Sequence, residues 1–357
     1  MTGCRPRVLA TATAVPPHAL DQHAAKHVAR GLFAGREDGA IDRLLPMFDH
    51  VEVDRRFLCQ PVEWYLEHHP FADRNAVYQR WALELGTRAG AAALEAAALS
   101  SAEVGSVVFV STTGLATPSL DVGLMRGLGL VDRYTHRQSM FGRGCAGGVA
   151  GLAQASDRAR LDPARAVLLV VVELCSLTFR RDDVTTPNIV SSALFGDGAA
   201  AAVLVADEQG VQRGASVIGH DMVTWPGTDD LMGWDFGDDG MSVVLSKSIP
   251  ALVRRELRAS FDHACEQARV DPADIRHHLV HPGSAVVLDA VTDALELAPD
   301  ALARSRSVLR DHGNMSAATI LFILDRFLAD GVADAGETVA LSALGPGFSG
   351  EHLLLRW

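Results

Sequence analysis

The chain has few of the residues that build a disulfide-bonded or metal-bound small protein. It holds only 5 cysteines in 357 residues, and none of them forms a C-x-x-C pair. This scatter argues against a disulfide framework and against a zinc site. No apolar run approaches the ~20 residues of a membrane-spanning helix. We therefore expect a cytoplasmic protein without a membrane span. The cysteines are Cys4, Cys59, Cys145, Cys175 and Cys265.

Basic residues are also in deficit. Lys and Arg number 32 against 44 for Asp and Glu, which gives a formal net charge of −12. This charge disfavours nonspecific binding to nucleic acid or to an anionic membrane, and no basic run offsets it. We therefore expect no nucleic acid partner, and an anionic ligand must meet a local group of basic side chains.

The chain does contain alternating short apolar runs and longer Ala- and Leu-rich segments. With 48% hydrophobic residues it can bury a large core. The alternation is typical of an α/β protein with buried strands. The predicted elements include the strands Val8–Val15, Val107–Ser111, Ala166–Val172 and Ala199–Ala206 and the helices Ala82–Ala97, Gly147–Leu161 and Ala317–Leu328.

The pattern divides the chain into two similar halves, residues 1–215 and 216–357. In each half a strand leads to a reactive residue and then to a helix, with Cys145 in the first half and His281 in the second. This arrangement predicts an internally duplicated fold. Between these elements, residues 226–240 are rich in aspartate and glycine and predict an exposed acidic loop. Their spacing matches no EF-hand loop, so we expect no calcium site there.

The segment from Phe141 to Ala150 surrounds Cys145 with glycine and alanine just before a predicted helix. A helix N-terminus favours the thiolate, which is the nucleophilic form of cysteine. Two alternatives stay open at this point. The same segment satisfies G-x-G-x-x-G, although a dinucleotide site belongs to the first βα turn. Cys145 is otherwise a small buried hydrophobe, as most free cysteines are.

His281 is predicted at the end of a strand, followed by Pro282 and Gly283. This position is typical of an active-site histidine. The neighbours His277 and His278 suggest a metal cluster, but strand alternation sends His277 and His281 to one face and His278 to the other. No suitably spaced carboxylate or thiol completes a metal site. We therefore expect a metal-free histidine.

Asn314 lies just before the strongly helical segment Ala317–Leu328. An asparagine at a helix start is often only a cap. The alternative is an amide N–H donor that stabilises a developing oxyanion. Residue type alone favours the cap.

Together these segments resemble the type III polyketide synthases of the chalcone synthase superfamily, nearly from end to end. The resemblance implies a thiolase-like fold with an internally duplicated, five-layered αβαβα architecture, and a homodimer. Ketoacyl synthases of the third type share part of the pattern but differ after the histidine and after Gly313-Asn314. The segments that carry the resemblance are Gly144–Gly148, Ala193–Ala200, His281-Pro282-Gly283, Gly313–Ser316 and Gly345-Pro346-Gly347.

The resemblance also implies the chemistry. Cys145, His281 and Asn314 form the catalytic set. His281 holds Cys145 as a thiolate, which attacks an acyl-CoA thioester. His281 and Asn314 then stabilise the enolate formed when malonyl-CoA loses CO2. The partners are acyl-CoA and malonyl-CoA, and no cofactor or metal is needed.

The same resemblance assigns residues that line the substrate cavity. Phe195 is the expected gatekeeper between the CoA tunnel and the cavity. Val243 stands where plant enzymes carry a second phenylalanine, and Trp234 falls near a plant glycine. The expected substrate-binding residues are Phe195, Cys175, Thr178, Trp234, Val243, Ser316, Thr112, Gly345, Pro346 and Gly347.

For coenzyme A, the resemblance implies three basic contacts. Arg43 is the counterpart of one phosphate-binding residue of plant enzymes, and Arg55 and Arg56 are the expected substitutes for the others.

The sequence thus predicts iterative condensation of a fatty acyl-CoA starter with malonyl-CoA to an alkylpyrone or alkylresorcinol. The alternatives are a malonyl-only synthase of a naphthalene product, a single-step ketoacyl synthase that uses acyl carrier protein, and a non-catalytic acyl-binding protein of the same fold.

Overall fold

The computed structural model describes residues 5–33, 44–130, 132–206 and 213–357. In these residues the strands are β1 Pro6–Ala14, β2 His18–Asp21, β3 Arg55–Leu58, β4 Val104–Val110, β5 His136–Met140, β6 Ala166–Leu174, β7 Asp197–Ala206, β8 Ala215–Thr224, β9 Met232–Gly237, β10 Gly240–Leu245, β11 Ile275–Val280, β12 Thr338–Gly345 and β13 Ser349–Arg356. The α-helices are α1 Gln22–Phe33, α2 Met47–His50, α3 Val62–Tyr65, α4 Phe71–Ala97, α5 Asp121–Gly127, α6 Gly147–Leu161, α7 Thr186–Leu194, α8 Ile249–Ala268, α9 Ala285–Leu295, α10 Ala303–His312 and α11 Thr319–Asp330.

The central sheet shows the internal duplication directly. Its strand order is β11-β12-β13-β8-β1-β7-β6-β4-β5. In the first half β4 and β6 are parallel, and β7 and β1 follow antiparallel. In the second half β11 and β12 are parallel, and β13 and β8 follow antiparallel. The two sets therefore have the same order and the same directions. They join only where Arg7 and Val8 of β1 pair with β8.

Each half has the predicted order of strand, reactive residue and helix, with Cys145 between β5 and α6 and His281 between β11 and α9. The two residues do not occupy equivalent places, however, because the counterpart of β11 in the first half is β4. The local counterpart of the Cys145 turn is the 3₁₀ turn Ser316–Ala318, because each of these turns leads directly into a central buried helix.

The helices and the two half-sheets form five layers. Helices α6 and α11 pack between the half-sheets in one core. Helix α4 covers the outer face of the first half-sheet. Helices α8 and α9 cover the outer face of the second. Strand β6 is buried along its whole length, which is the burial expected of a strand covered on both faces. These layers bring the N-termini of α6 and α11 together at the centre of the molecule.

Most predicted elements match the observed ones. Helix α6 has the predicted bounds, whereas α4 begins 11 residues before the predicted Ala82, directly after Pro70. Proline just before the first helical turn is a start signal that the polar first half of this helix obscured. The predicted helix Ala317–Leu328 is instead a 3₁₀ turn followed by α11. The division at residues 215 and 216 stays a prediction.

The expectation of an acidic loop over residues 226–240 was wrong for its second half. Strands β9 and β10 form a two-stranded hairpin, and Trp234 pairs directly with Val243. The alternation of Met232, Trp234 and Phe236 is the strand signal, and the intervening glycine and aspartate obscured it. Within the described ranges no group of acidic, histidine or cysteine side chains has the arrangement of a metal site.

None of the helices in the described ranges is long and apolar enough to cross a bilayer. The cytoplasmic location stays a prediction.

Candidate active site

Cys145 lies in the 3₁₀ turn Gly144–Ala146, immediately before α6. The turn depends on glycine, because Gly142 and Gly144 have φ of +82° and +45°, a left-handed backbone that strains other residues. The Gly144 N–H donates a hydrogen bond to Thr112 Oγ1 at 3.2 Å. Cys145 is buried. Its thiol therefore occupies a fixed position at the start of a buried helix.

Two more glycines let the second half approach this turn closely. A Cβ at Gly148 would lie 2.2 Å from the carbonyl oxygen of Ala317. A Cβ at Gly345 would lie 2.5 Å from the carbonyl oxygen of Arg143. Both contacts are with backbone atoms, which cannot rotate away. The two halves of the fold thus touch at the nucleophile because these positions lack side chains.

The surroundings of Cys145 oppose its ionisation. Burial raises the pKa of the Cys145 thiol to about 11, since a thiolate loses solvation there. The side chains of Ser316 and Asn314 counteract part of this shift in pKa, and the Glu173 carboxyl adds to it. The contacts of the thiol thus come from both halves of the fold.

His281 directly follows β11, and its backbone N–H donates to Ser342 O at 2.8 Å. The side chain is 3% exposed, and neither ring nitrogen has a hydrogen-bond partner within the described ranges. Burial lowers the pKa of His281 to about 3, because the imidazolium would be desolvated. The ring is therefore neutral and keeps one donor and one acceptor nitrogen for other groups.

These two directions differ from the sequence-based expectation of a thiolate and an imidazolium. Burial raises the thiol pKa and lowers the imidazole pKa, so both shifts favour the neutral forms. The sequence shows a thiol before a helix but does not show how completely the fold excludes water from it.

Hydrogen bonds fix the orientation of the Asn314 amide, and its role as an oxyanion donor stays a prediction. Its Oδ1 accepts a hydrogen bond from the Ser316 N–H at 2.8 Å. Its Nδ2 donates to Gly283 O at 3.1 Å, just beyond His281. An amide nitrogen has two hydrogens, so one N–H remains for the Cys145 thiol, whose pKa it lowers. The oxygen thus fixes the orientation of the amide, and the nitrogen is a donor toward the nucleophile.

Phe195 and Ser316 flank this asparagine. The backbone of Phe195 pairs with Asn314 in an isolated bridge. Ser316 has a φ of +46°, an uncommon value for a residue with a side chain and one that clusters at functional sites. The backbone on both sides of Asn314 is therefore held in a specific conformation, by the bridge to Phe195 and by the left-handed Ser316.

Sequence reasoning missed Glu173 as a member of the site. It is fully buried in β6, and its Oε2 accepts from the Thr112 N–H at 3.0 Å. Burial raises the pKa of Glu173 to about 8, so the carboxyl is protonated at neutral pH. Interactions with Thr113, Ser316 and Ala317 oppose this rise in its pKa. The available signal was a single acidic residue inside the apolar run Ala166–Leu174.

Comparison with known sequences decides the family. The model for the N-terminal domain of chalcone and stilbene synthases matches residues 4–208, and the model for the C-terminal domain matches residues 220–357. The chain belongs to the chalcone and stilbene synthase family. It is thus a type III polyketide synthase, an acyltransferase that uses CoA thioesters, as the sequence predicted.

Individual relatives cover nearly the whole chain. A putative chalcone synthase of Bacillus subtilis is 36% identical over 360 residues, with 98% of each chain covered. The 1,3,6,8-tetrahydroxynaphthalene synthase of Streptomyces peucetius is 38% identical, with 98% of this chain and 93% of the relative covered. The crystal structure of the corresponding synthase of Streptomyces coelicolor superposes with a TM-score of 0.92 at 29% identity, covering 98% of this chain and 99% of that one. The thiolase-like fold class is therefore confirmed.

For this chalcone synthase family member, several predicted substrate residues line one cavity. The cavity measures about 760 Å³, including its open mouth. Cys175, Thr178, Phe195 and Val243 lie in its wall. Burial raises the pKa of the Cys175 thiol well above its ordinary value. Phe195, whose backbone pairs with Asn314, is the wall residue that links this cavity to the catalytic set. Substrate contact by these residues stays a prediction.

Other predicted substrate residues occupy supporting positions. Thr112 and Ser316 bond the nucleophile turn and Asn314, as described above. A Cβ at Gly144 would lie 2.7 Å from Pro346 Cδ, so Gly345, Pro346 and Gly347 form the turn that packs against Cys145. Trp234 lies opposite Val243 in the β9–β10 hairpin.

The three arginines predicted to contact CoA differ in their surroundings. Arg43 lies outside the described residues. Arg55 is exposed and lies 5.3 Å from the ring centre of Phe57. Arg56 is 2% exposed, and its terminal nitrogens donate to the carbonyl oxygens of Ser192 and Ala193 and to Gln22. These bonds hold most of the guanidinium inside the protein, although Arg56 also lines the cavity described above. The CoA contacts of Arg43, Arg55 and Arg56 stay predictions.

Proposed function

We propose that this enzyme condenses a fatty acyl-CoA starter, held on Cys145, with several malonyl-CoA units and releases an alkylpyrone or alkylresorcinol. The observation that carries the proposal is the apolar cavity that the expected gatekeeper Phe195 and Cys175 line. Phe195 and Val243 form part of its wall, and five aliphatic residues of the N-terminal region form another part: Leu20, Ala25, Val28, Ala29 and Leu32.

The polar side chains in this wall support an apolar occupant, because they hydrogen-bond within the protein. Ser191 and Ser192 donate to backbone carbonyls of α7. Asn188 donates to the carbonyls of Arg180 and Asp183. Thr178 donates to Cys175 O at 2.8 Å. What these residues offer the cavity is chiefly their hydrocarbon, so an alkyl chain suits it better than a poly-ketone.

The neutral Cys145 and His281 define the first step. His281 takes the thiol proton as Cys145 Sγ attacks the acyl-CoA carbonyl carbon. The C–S bond to CoA then breaks, and the CoA thiolate leaves with the proton from His281. The acyl group remains on Cys145 as a thioester.

Extension follows at the same place. Malonyl-CoA loses CO2, and the resulting enolate oxygen accepts hydrogen bonds from the second Asn314 N–H and from His281. The enolate carbon attacks the carbonyl carbon of the Cys145 thioester, the C–S bond to Cys145 breaks, and the cysteine leaves as a thiolate. The lengthened chain is then a CoA thioester, which the same thiolate attacks to begin the next cycle. The proposed cycle uses no redox cofactor and no metal ion.

Product analysis tests this proposal. The pure enzyme is incubated with malonyl-CoA and with acyl-CoAs of graded length, and products are identified by mass. Each buried methylene adds about 0.8 kcal/mol of binding, so kcat/KM is expected to climb with chain length until the cavity is full. An enzyme that ignores fatty acyl-CoAs contradicts the proposal.

Val243→Phe sharpens this test by filling the cavity beside Phe195. We expect the preferred starter to shorten. Val244→Phe is the matched control, because adjacent strand residues point to opposite faces. Equal chain-length profiles for the two variants would argue against the cavity as the starter site.

A second candidate is synthesis from malonyl-CoA alone. It is supported by the relatives at 38% and 31% identity that are named 1,3,6,8-tetrahydroxynaphthalene synthases. The same incubation separates the candidates, because this enzyme would form its product without any added acyl-CoA.

We also propose a homodimer. Strand β5 is the terminal strand of the central sheet, and His136, Arg137 and Ser139 on it are exposed. An unpaired edge strand is a template for pairing with a second chain. Sedimentation at graded protein concentrations tests this state, and a monomer at micromolar concentration contradicts it.

A further inference from the structure

We propose that Arg56 is a positioning residue for Asn314, because its guanidinium holds the end of helix α7 against the segment that carries this asparagine. This inference rests on the proposed function, in which the Asn314 amide stabilises the enolate. It adds the buried group that keeps this amide in place. Arg56 is 2% exposed and lies in β3, far along the chain from both α7 and Asn314.

The carboxyl end of α7 needs hydrogen-bond donors from outside the helix, because the last four carbonyls of a helix have no partner within it. Arg56 supplies donors to two of these four. Its Nη1 donates to Ser192 O, and its Nη2 donates to Ala193 O at 2.8 Å. The Gln22 side chain accepts from the same Nη2 and donates to Ala193 O at 3.1 Å. One guanidinium, steadied by one amide, therefore caps the helix.

The charge of Arg56 suits this place. Its hydrogen-bond partners in the described part of the chain are all neutral oxygens, and none is a carboxylate. Burial lowers the pKa of Arg56 to about 10, so the guanidinium stays charged at neutral pH. The C-terminus of a helix carries a partial negative charge that stabilises a cation. A neutral side chain at this position would leave two buried carbonyls without a charged donor.

The chain just beyond α7 holds the backbone of Asn314 from two sides. The Asn314 N–H donates to Leu194 O at 2.9 Å, and the Asn314 carbonyl accepts from the Gly196 N–H at 3.0 Å. The two segments approach closely, since a Cβ at Gly313 would lie 2.8 Å from Leu194 O. A shift of the end of α7 therefore moves Asn314, and with it the amide that faces the substrate.

Arg56→Gln tests this inference through its separate effects on two steps. A misplacement of about 1 Å can cost about 10²-fold in rate, so we expect kcat for malonyl-CoA decarboxylation to fall at least about tenfold. The KM for malonyl-CoA should stay unchanged, and acylation of Cys145 should be largely spared. Arg56→Lys keeps the charge and should restore part of the rate. A CoA contact by Arg56 predicts the opposite, a higher KM for both CoA esters at unchanged kcat, and that result overturns the inference.

The matched control is Arg213→Gln. Arg213 donates to the carbonyl oxygen of Ala97, the last residue of α4. Its replacement removes the same kind of bond from the end of a helix that does not touch Asn314, so the ratio of decarboxylation to acylation should stay at the wild-type value. Gln22→Leu removes the second donor to Ala193 and should lower the ratio less than Arg56→Gln does.

Asn314→Ala, measured in the same assay, separates the two levels of the argument. Wild-type decarboxylation by Asn314→Ala would refute the role of Asn314 in the proposed function. Slow decarboxylation by Asn314→Ala together with a wild-type rate in folded Arg56→Gln would overturn the inference alone.

Hydrogen exchange tests the position of Asn314 without any reaction. The backbone amide hydrogens of Asn314 and Gly196 bond across the segment that Arg56 holds. They should exchange faster in Arg56→Gln than in wild type, because local opening then costs less free energy, and Arg213→Gln should leave them protected. If Arg56→Gln fails to fold, Arg56→Lys and Gln22→Leu carry the same comparison. Unchanged protection of both amides in the folded variants overturns the inference.

Discussion

The two halves of the sheet have the same strand order, yet they contribute different chemistry at equivalent places. In the first half the 3₁₀ turn before α6 carries the thiol of Cys145. In the second half the 3₁₀ turn before α11 follows Asn314, which presents an amide. The end of β11 leads to His281, whereas the end of β4 leads to Thr112, which bonds the nucleophile turn. Duplication therefore supplied two similar frames, and the side chains at their meeting point diverged.

The two halves also contribute different kinds of chemical groups to the site. The first half surrounds Cys145 with small residues and the protonated carboxyl of Glu173. The other half supplies the polar groups, namely a neutral imidazole and an oriented amide. Neither half holds a complete site, so the chemistry depends on the contact between the two central helices.

The largest expected effect comes from removing Cys145, the nucleophile of the first half. Cys145→Ala should abolish product formation from acyl-CoA and malonyl-CoA, because no thioester can form. Cys175→Ala is the matched control, since it removes a second buried thiol of the same half. Chain extension by the Cys145→Ala protein, measured by product mass, would show that the nucleophile lies elsewhere.

The next largest effect distinguishes the role of Asn314 from that of His281. Asn314 exchanges no proton, so Asn314→Ala should lower the rate of malonyl-CoA decarboxylation by about 10²–10³ and largely spare acylation of Cys145. His281→Ala should slow both steps. Release of CO2 and mass measurement of the acyl-enzyme report the two steps separately. Equal losses of acylation in both variants would remove the distinction between them.

A third prediction concerns the protonation state of Cys145, which lies where the two halves meet. The folded thiol has a pKa of about 11, so below that pH its reactive thiolate fraction rises about tenfold per pH unit. Alkylation of Cys145 should therefore accelerate steadily from pH 7 to pH 10. Subtraction of the Cys145→Ala signal isolates this residue. A constant rate between pH 6 and pH 8 would instead indicate a thiolate paired with an imidazolium.

The smallest effect concerns stability. In the folded protein the pKa of Glu173 is about 8, against an ordinary value of 4.5. Unfolding therefore releases a proton between these values, and this group lowers stability as pH rises through them. At pH 7 the cost is about 3 kcal/mol. Glu173→Gln cannot titrate, so its stability relative to wild type should increase from pH 5 to pH 8.

Chemical denaturation across this pH range measures the difference. Glu84→Gln, an exposed change on α4, serves as the control and should leave the pH dependence as it is in wild type. A constant difference between wild type and Glu173→Gln would mean that Glu173 is ionised in the folded protein.

Much of the fold was predictable because local physics decides it. Buried strands such as β6 read as continuous apolar runs, and α6 has the bounds that its pattern predicts. The β9–β10 hairpin was missed because glycine and aspartate within it are also loop residues. The sequence predicted the equivalence of the two half-sheets only in part, because the pairing of distant strands does not affect the local periodicity of apolar residues.

The family, the α/β class and the reactive residue types were predictable from the chain, because they depend on short motifs around Cys145, His281 and Asn314. Packing between distant segments set the neutral forms of the thiol and the imidazole, the burial of Arg56, the entry of Glu173 into the site and the cavity along α1. These features depend on which distant segments exclude water from one another. Desolvation and enclosed volume are properties of packing, and no single segment of the chain contains them.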